Sequence, residues 1–320
     1  MSTYTKYNIS NDESGIRIDR WLRRKFPNLP QSFFEKKLRK GFIRLNKKVV
    51  KANKKIKFCD LIEIHDYDNQ KYILKGISRN INISKKLIKK FNSSIIFQNE
   101  DYIVINKWKG IATQGGSNII NSIDGIIKGL SGKMNLVHRL DKETSGILLI
   151  SKNYKTSRFF GSLFKNKKIN KIYLAICNKR PSKKKGIIKL KIEKFKDIKK
   201  DKINYSLTKQ DSITNYEVLD NKDNVSSILF FPLTGKRHQI RIVAKYLGCP
   251  ILGDSKYGYK NKINYKNNKK TKLMLHAFGI SFDLKNIKQK YYAQLDKEMI
   301  NNFKKFGLKI PKNDDIKKYL

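Results

Sequence analysis

Cysteine is scarce in this sequence, and the three that occur, Cys59, Cys177 and Cys249, lie far apart along the chain. An odd number at such spacing fits neither a disulfide framework nor a zinc knuckle, so we expect a reducing compartment such as the cytoplasm. No apolar run reaches the roughly 18 residues that a transmembrane helix needs, so no such helix is expected. The opening residues, MSTYTKYNIS, lack an apolar signal core, so we also expect that the chain is not exported.

Acidic residues are also few, since 26 Asp and Glu stand against 72 Lys and Arg, which gives a net charge of +46. A surface of this sign attracts polyanions, meaning nucleic acids or anionic membranes. Most of the basic residues are lysines in a chain that is also rich in Asn and Ile, and many of them need only be solvated. Arginine is rarer and offers a planar fork that lysine lacks, so its positions are more informative.

The chain of 320 residues is long enough for one large domain or two, and its first part has the pattern of a small basic unit. Residues 16–26 place apolar side chains at helical spacing, and residues 31–40 predict a second short helix that Gly41 ends. Two strand-like runs follow, FIRLN at 42–46 and DLIEI at 60–64. The sequence therefore predicts two basic helices followed by strands.

These elements resemble the S4-type RNA-binding module over residues 15–75. The matching stretches are R-I-D-R-W-L, K-L-R-K-G-F-I-R-L-N and D-L-I-E-I. The scarce arginines cluster here, which favours contacts with phosphates. The alternative is a basic helical hairpin whose charges are only solvated. The candidate RNA-binding residues of this module are Arg17, Arg20, Arg23, Arg24, Arg39 and Arg44.

Residues 76–92 belong to a polar stretch rich in Lys and Asn, and we interpret them as a linker. From residue 93 to residue 310 the sequence is rich in strand-like runs separated by turn residues. A Lys-rich stretch at 182–211 fits a hairpin, and residues 311–320 are interpreted as a tail.

Three helical stretches interrupt the strands of this second part, near 121–130, 154–167 and 236–247. Strands in such number with few helices predict an α+β fold. We expect the small αβ module to be followed by a catalytic domain built on a mostly antiparallel mixed sheet.

The stretch HRLDKETSG at 138–146 is the most informative motif. It places Arg139, Asp141 and Lys142 on a turn directly before the apolar run ILLI. An acid beside a buried strand needs a partner for its charge. The motif therefore indicates a carboxylate that is held for chemistry.

This motif resembles the signature of the RluA-type pseudouridine synthases, which act on ribosomal and transfer RNA. The resemblance implies that the chain isomerises specific uridines to pseudouridine, with the large-subunit (23S) ribosomal RNA as the expected substrate. It also implies a monomer that needs no cofactor and no metal. Further matching stretches are V-I-N-K at 104–107, K-I-Y-L-A at 171–175, L-T-G-K-R-H-Q-I-R-I at 233–242, G-D-S-K-Y-G at 253–258 and L-H-A at 275–277.

The resemblance also assigns roles to individual residues. Asp141 takes the position of the catalytic carboxylate, and Arg241 is expected to pair with it and keep it ionised. Tyr173 is expected to pack on the base and is a candidate for proton abstraction. Arg139 is expected to fill the space left when the target base leaves its stack.

Lys236 and Arg237 are added as candidate RNA-binding residues, and both depart from the family pattern. Lys236 replaces a common Arg, and Arg237 replaces a small hydroxyl residue. Val243 stands where the pattern closes with His, and Gln114 stands where relatives often carry His. These departures concern the choice of substrate, because Asp141 and its expected partners are all present.

Two rival functions remain open from the sequence. The first is a non-catalytic RNA-binding factor for ribosome assembly, although such a factor does not need Asp141, Tyr173 and Arg241 together. The second is a nuclease, which would usually need a carboxylate cluster for metal or a pair of catalytic histidines. His138 and His276 are instead interpreted as packing and hydrogen-bonding residues. The sequence also leaves open whether Asp141 attacks C1′, attacks C6, or assists formation of a glycal.

Overall fold

The computed structural model describes residues 5–26, 29–65, 67, 72, 83–115, 121–131, 133–194, 203–207, 210–259 and 271–320. The chain divides into two compact units, Met1–Ile81 and Asn82–Leu320. No helix in the described ranges is both long and apolar enough to cross a membrane. Within the range 15–75 that the sequence predicts to be S4-like, residues 27, 28, 66, 68–71 and 73–75 lie outside the described part.

Among its described residues, the first unit contains two α-helices and a three-stranded antiparallel sheet, in which the last strand along the chain lies between the other two. The helix predicted over 16–26 is confirmed, because Ile18, Trp21 and Leu22 lie on one buried face. The second predicted helix and both predicted strands are confirmed as well. The elements are β1 (Thr5–Asn8), a 3-10 turn (Asn11–Glu13), α1 (Ile18–Lys25), α2 (Gln31–Arg39), β2 (Ile43–Leu45) and β3 (Leu61–Ile64).

The second unit begins with a helix where the sequence predicted a linker over 76–92. Residues 76–82 lie outside the described part, but Lys85–Asn92 form helix α3, which Ser84 caps by accepting a hydrogen bond from the Leu87 amide. Phe91 is buried in an apolar cluster that Leu87 also contacts. The linker prediction is therefore wrong for this segment. Its polar composition suggested a linker, but its few apolar residues recur at helical spacing and pack in the core.

An eleven-stranded mixed sheet forms the centre of the second unit. Its main order is β10-β9-β11-β12-β8-β13-β7-β5-β4, with β14 beside β13 and β6 beside β7. Its strands are β4 (Ile95–Gln98), β5 (Tyr102–Lys107), β6 (Asn135–Leu136), β7 (Ser145–Ser151), β8 (Asn170–Asn178), β9 (Lys185–Lys194), β10 (Ile203–Ser206), β11 (Ser212–Lys222), β12 (Val225–Pro232), β13 (Leu275–Leu284) and β14 (Ile287–Tyr292).

The pairing of β7 with β13 is parallel, whereas the other named pairs are antiparallel, which confirms a mostly antiparallel mixed sheet. Ser145 lies opposite His276, and Gly146 opposite Ala277. Gly146 has φ +108°, and a Cβ atom there would lie 2.2 Å from the Ala277 carbonyl oxygen. Only glycine permits this approach of the two strands directly after the HRLDKET turn.

Helices pack on this sheet where the sequence predicted them. Ser122 and Asn153 cap two of the helices by accepting hydrogen bonds from backbone amides of the first turn. The three predicted helices are α4 (Ile123–Leu130), α5 (Tyr154–Lys165) and α6 (Gln239–Tyr246). The hairpin predicted in 182–211 is present as the antiparallel pair of β9 and β10, and its tip lies outside the described residues.

The C-terminal residues 311–320 are not a peripheral tail. After α7 (Lys297–Lys305), a short helix α8 (Asn313–Lys317) brings Ile316 and Leu320 into the largest apolar core cluster. The tail prediction is wrong because a few apolar residues at the end of a polar stretch suffice to dock it on the sheet.

Candidate active site

A cavity of about 560 Å³ opens in the second unit between three segments that are distant in sequence. These segments are the HRLDKET turn, the start of β8 and the residues leading into α6. All six candidate site residues of this unit line the cavity, namely Arg139, Asp141, Tyr173, Lys236, Arg237 and Arg241. The structure thus brings together residues up to about a hundred positions apart, while the six candidate arginines of the first unit belong to a separate compact unit.

The turn that carries Asp141 is held by hydrogen bonds to its backbone. Thr113 donates its hydroxyl to the Leu140 carbonyl at 2.7 Å and accepts from the Leu140 amide at 3.1 Å. The Thr144 amide donates to the Asp141 carbonyl. These bonds fix the direction in which the Asp141 side chain leaves the turn.

Lys107, the last residue of the V-I-N-K stretch, supports the same turn through hydrogen bonds of its side chain. Its side chain is fully buried, and its ammonium group donates to the carbonyls of Trp108 and Ile111 at 3.1 Å and of Lys142 at 3.4 Å. Burial lowers the pKa of Lys107 to about 7, although the nearby charges of Glu143 and Asp141 oppose the shift. Sequence reasoning missed this role, because one lysine among many gives no signal of burial.

Arg241 lies on the first turn of α6 and faces Asp141, its expected partner, through a single nitrogen. Its Nε and Nη2 atoms donate to Asp254 at 2.8 and 2.7 Å, and only Nη1 faces Asp141, at 3.6 Å. The predicted proximity is present, but the bidentate partner is Asp254. Burial opposes the charge of Arg241, and the hydrogen bonds and charge of Asp254 outweigh it, so the pKa of the guanidinium is raised.

Asp254 belongs to the G-D-S-K-Y-G stretch and is buried. Besides Arg241 it accepts hydrogen bonds from the amides of Lys256 and Tyr257, both at 2.9 Å. Burial would raise its pKa, but Arg241 and these amides lower it below the ordinary value. The Tyr257 ring lies 5.0 Å from the guanidinium carbon of Arg241 and forms a cation–π contact with it.

His238 is a second residue near Asp141 that the sequence reasoning did not single out. Its backbone is left-handed with φ +57° at the start of α6, and its Nε2 atom lies 3.7 Å from the Asp141 carboxylate. Its Nδ1 atom is 2.9 Å from the Tyr257 hydroxyl. Burial lowers the pKa of His238 to about 4, opposed by Asp141 and reinforced by Arg241 and Arg237, so the ring is neutral at pH 7.

Tyr173 and Lys171 lie two positions apart on β8, so their side chains share one face of the strand, and both line the cavity. Burial, with the charge of Asp141, raises the pKa of Tyr173 above its ordinary value, so its phenol stays protonated. Burial lowers the pKa of Lys171 to about 8, and its ammonium donates to the Thr234 carbonyl at 3.2 Å. The cavity therefore offers an uncharged aromatic ring with a cation beside it.

Arg139, Lys236 and Arg237 are the candidate residues that line the exposed rim of this cavity. Arg139 is exposed, and its Nη1 atom donates to the Gln114 side chain at 3.4 Å. Lys236 forms an ion pair with Asp211. Arg237 is exposed at the same edge. This rim presents cations to solvent, which suits an anionic backbone.

The two histidines expected to serve packing and hydrogen bonding do make such contacts. His138 Nε2 accepts from the Leu149 amide at 2.8 Å, and its ring stacks on Phe164. His276 is fully buried and contacts the Ser145 hydroxyl at 2.9 Å and the Ala293 carbonyl at 3.2 Å. No cluster of three or more His, Cys, Asp or Glu side chains that could hold a metal ion occurs in the described ranges.

In the first unit, five of the six candidate arginines are exposed and Arg17 is half-buried. Arg17 commits its fork to Asp19, with Nε and Nη2 donating at 3.1 and 2.5 Å. Its assignment to RNA binding stays a prediction, with the Nη1 atom as the group left to contact a phosphate.

Comparison with known proteins adds a family to this geometry. Residues 101–246 match the model of the RNA pseudouridylate synthase family. The chain is 40% identical over 278 residues to a protein of Rickettsia typhi named ribosomal large subunit pseudouridine synthase C, and the match covers 83% of this chain and 88% of the relative. It is 32% identical over 280 residues to a protein of Haemophilus influenzae with the same name, covering 86% of each.

Solved structures show the same fold at lower identity. Human RNA pseudouridylate synthase domain containing 4 superposes with a TM-score of 0.60 at 24% identity, covering 71% of this chain and 98% of that one. Human RNA pseudouridylate synthase domain containing 1 gives a TM-score of 0.53 at 24% identity, covering 63% and 82%. At this identity the similarity concerns the fold.

Proposed function

The chain belongs to the RNA pseudouridylate synthase family, and we propose on that basis that it isomerises specific uridines to pseudouridine in the RNA of the large ribosomal subunit. The substrate follows the printed names of its relatives, ribosomal large subunit pseudouridine synthase C. The observation that supports the reaction best is the cavity that holds Asp141, Tyr173 and Arg241 together.

The reaction needs little besides a nucleophile, an aromatic floor and a proton acceptor. The N1–C1′ bond of uridine breaks, the base rotates, and C1′ joins C5. The proton on C5 is lost, and N1 ends protonated, so atoms and electrons balance without an oxidant or reductant. An enzyme for this isomerisation must hold the detached base in place while it turns.

We assign the nucleophile to Asp141, whose carboxylate is the acid lining the cavity beside the Tyr173 ring. Arg241 Nη1 at 3.6 Å and His238 Nε2 at 3.7 Å face this carboxylate. A nearby fixed cation favours the ionised form that nucleophilic attack requires. Attack on C1′, attack on C6 and assistance to a glycal all place Asp141 beside the ring and the sugar.

Tyr173 is proposed to pack against the uracil. The raised pKa of its phenol disfavours the phenolate, so the ring acts first as a contact surface. Tyr173 could abstract the C5 proton only after a base had deprotonated its phenol. The titratable group near this phenol is Asp141, whose negative charge disfavours the phenolate. Packing is therefore the role that the resting geometry supports.

Arg139 is proposed to occupy the space of the displaced uridine in a folded RNA. It is exposed at the cavity rim, where its hydrogen bond to Gln114 is long at 3.4 Å. A weakly held planar cation can leave this partner and stack among bases. Lys236 and Arg237 on the same rim are proposed to contact phosphates.

The unit Met1–Ile81 is proposed to be an S4-like RNA-binding domain. Two helices followed by strands, with exposed arginines on α1, α2 and β2, support this assignment. Arg17 is included in this proposal, although Asp19 engages its Nε and Nη2 atoms. A monomer in the cytoplasm remains our prediction for the whole chain.

The experiment that tests the reaction follows tritium released from C5-labelled uridine in large-subunit ribosomal RNA. We expect release by the purified full-length chain without nucleotide and with chelator present. RNA binding without any release would favour the non-catalytic assembly factor. Cleavage of the RNA in place of release would favour a nuclease.

A further inference from the structure

A second cavity, of about 570 Å³, lies next to the active-site cavity on the second unit. The two cavities share a wall formed by Lys171, Pro232 and Leu233. The shared wall places the second cavity directly beside any nucleotide that is bound in the first. The role described above for the active site makes no use of this second cavity.

Three neighbouring strands build the floor of the second cavity. Asn215 on β11 pairs with Ile187 on β9 and with Phe231 on β12. Residues that pair directly across strands place their side chains on the same face, so these three side chains form one row. The neighbours of Asn215 on β11, Thr214 and Tyr216, are buried in the opposite direction. The row thus lines the cavity, and Phe231 also packs against the main apolar core cluster.

The chemistry of this cavity suits a flat heteroaromatic group. The Phe231 ring lies 5.1 Å from the ring of Tyr319, which lines the cavity from the chain end. Ile187 is 62% exposed and lines the edge of the cavity. Bases stack on such aromatic and apolar surfaces irrespective of their identity.

Two buried polar atoms of the cavity residues, Asn215 Oδ1 and Tyr319 Oη, have no hydrogen-bond partner among the described residues. A buried carbonyl without a partner is unfavourable, and a bound donor would relieve it once the Asn215 side chain turns toward the cavity. The exocyclic amino group or ring N–H of a nucleobase is such a donor. Lys185, which is exposed beside the cavity, offers a cation for an adjoining phosphate.

We propose that the second cavity binds the nucleobase of a nucleotide close to the target uridine in the same RNA strand. This inference rests on the proposed function, because the shared wall matters only if RNA occupies the first cavity. A base held by Asn215 and stacked near Phe231 would select the sequence around the target. The cavity is then a specificity-determining subsite for the same reaction.

The test combines protein variants with abasic substitutions in an RNA oligonucleotide that carries the target uridine. Abasic nucleotides are placed one at a time on either side of the target, and affinity is measured by fluorescence anisotropy. We expect one position whose abasic substitution weakens binding to the full-length chain about tenfold, the range of one stacked base.

The exposed Ile187 provides the main variant, since Ile187→Glu places a charge at the cavity mouth without disturbing the core. We expect Ile187→Glu to weaken binding of the intact RNA about tenfold and to abolish the effect of the abasic position. The matched control is Ile287→Glu, because Ile287 is 64% exposed and does not line either cavity. It changes the net charge equally and should leave the abasic effect intact.

A second variant, Asn215→Leu, keeps the side-chain size and removes the amide. It should reduce the preference for one base at the coupled position while the melting temperature stays that of the parent. Equal abasic effects in parent, Ile187→Glu and Ile287→Glu would overturn the proposal, whatever else enters the cavity.

Product formation on the same oligonucleotides separates this inference from the proposed function. Pseudouridine formed without any coupled position contradicts the second cavity alone. Coupling without any pseudouridine contradicts the proposed reaction and leaves the base subsite standing, since the binding assay does not depend on turnover.

Discussion

Arg241 commits two of its three guanidinium nitrogens to Asp254 and presents the third to Asp141. The bonds to Asp254 are 2.8 and 2.7 Å long, whereas Nη1 lies 3.6 Å from the Asp141 carboxylate. Asp254 therefore orients the cation that faces Asp141. The charge environment of the proposed nucleophile depends on a buried residue that does not line the cavity.

Asp254→Asn should lower both stability and turnover. It leaves the buried cation of Arg241 without its anion, which costs about 3–5 kcal/mol in the free energy of unfolding. The rate of product formation should fall as well, because Arg241 is no longer held in a fixed orientation. Urea unfolding and single-turnover rates measure the two effects.

Asp211→Asn is the matched control, because it removes an ion pair with Lys236 in which both side chains are more than a third exposed. Its effect on stability should stay within about 1 kcal/mol. Arg241→Lys keeps the charge, removes the fork and should resemble Asp254→Asn in rate. Parent-like stability and rate for Asp254→Asn would contradict the role assigned to this pair.

Asp141→Asn should abolish detectable product while RNA affinity stays within about threefold, because phosphate contacts dominate binding. Tritium release and anisotropy measure these quantities separately. Glu143→Gln, two positions away on the same turn, removes the same charge and should keep turnover. Near-parental turnover in Asp141→Asn would remove Asp141 from the mechanism.

His238 should titrate far below an ordinary histidine. Its pKa is about 4 against 6.5, because burial disfavours the cation. Between these two values the unfolded chain binds the extra proton, so the stabilisation of parent over His238→Gln should increase as pH rises from 4 to 6.5. Unfolding free energies across this range, with NMR titration of the ring, measure it. A His238 midpoint near 6.5 in the folded protein is the contrary result.

Arg139→Ala should reduce product formation more on structured RNA than on a single-stranded oligonucleotide. Only the structured target has a stack from which the base must be displaced, at a cost of a few kcal/mol. Arg158→Ala is the control, because Arg158 is an exposed arginine on α5 that does not line the cavity. Equal reductions on both substrates would assign Arg139 to simple phosphate binding.

The exposed arginines of the first unit should contribute to the salt dependence of RNA binding. Replacing Arg20, Arg23 and Arg39 by Gln should flatten the slope of log affinity against log salt by roughly 0.7–0.9 for each phosphate that is no longer neutralised. The proposed chemistry at Asp141 should persist at saturating RNA.

A control set with the same change in net charge replaces three lysines of the second unit, Lys288, Lys290 and Lys304, by Gln. This set should alter the slope less than the arginine set. Equal slopes for both sets would mean that the first unit provides only general charge, as the solvated-hairpin alternative holds.

Local patterns in the sequence were sufficient for helices α1, α2, α4, α5 and α6 and for the strand that follows Asp141. Helix α1 follows directly from the spacing of Ile18, Trp21 and Leu22, because burial of one face imposes that period. The HRLDKETSG stretch predicted a carboxylate directly before a buried strand, and that strand is confirmed as β7. These features depend on residues that are close together in the sequence, so the sequence alone is enough to predict them.

Contacts between distant segments were decided only by the tertiary structure. Arg241 was expected to pair with Asp141, and it faces this residue with Nη1 alone, because the docking of the 253–258 stretch against α6 brings Asp254 to Nε and Nη2. The burial of Lys107, the helix at Lys85–Asn92 and the docking of Leu320 are likewise set by which surfaces meet. A side chain's partner depends on the register and packing of elements far apart in sequence, and no local period records that choice.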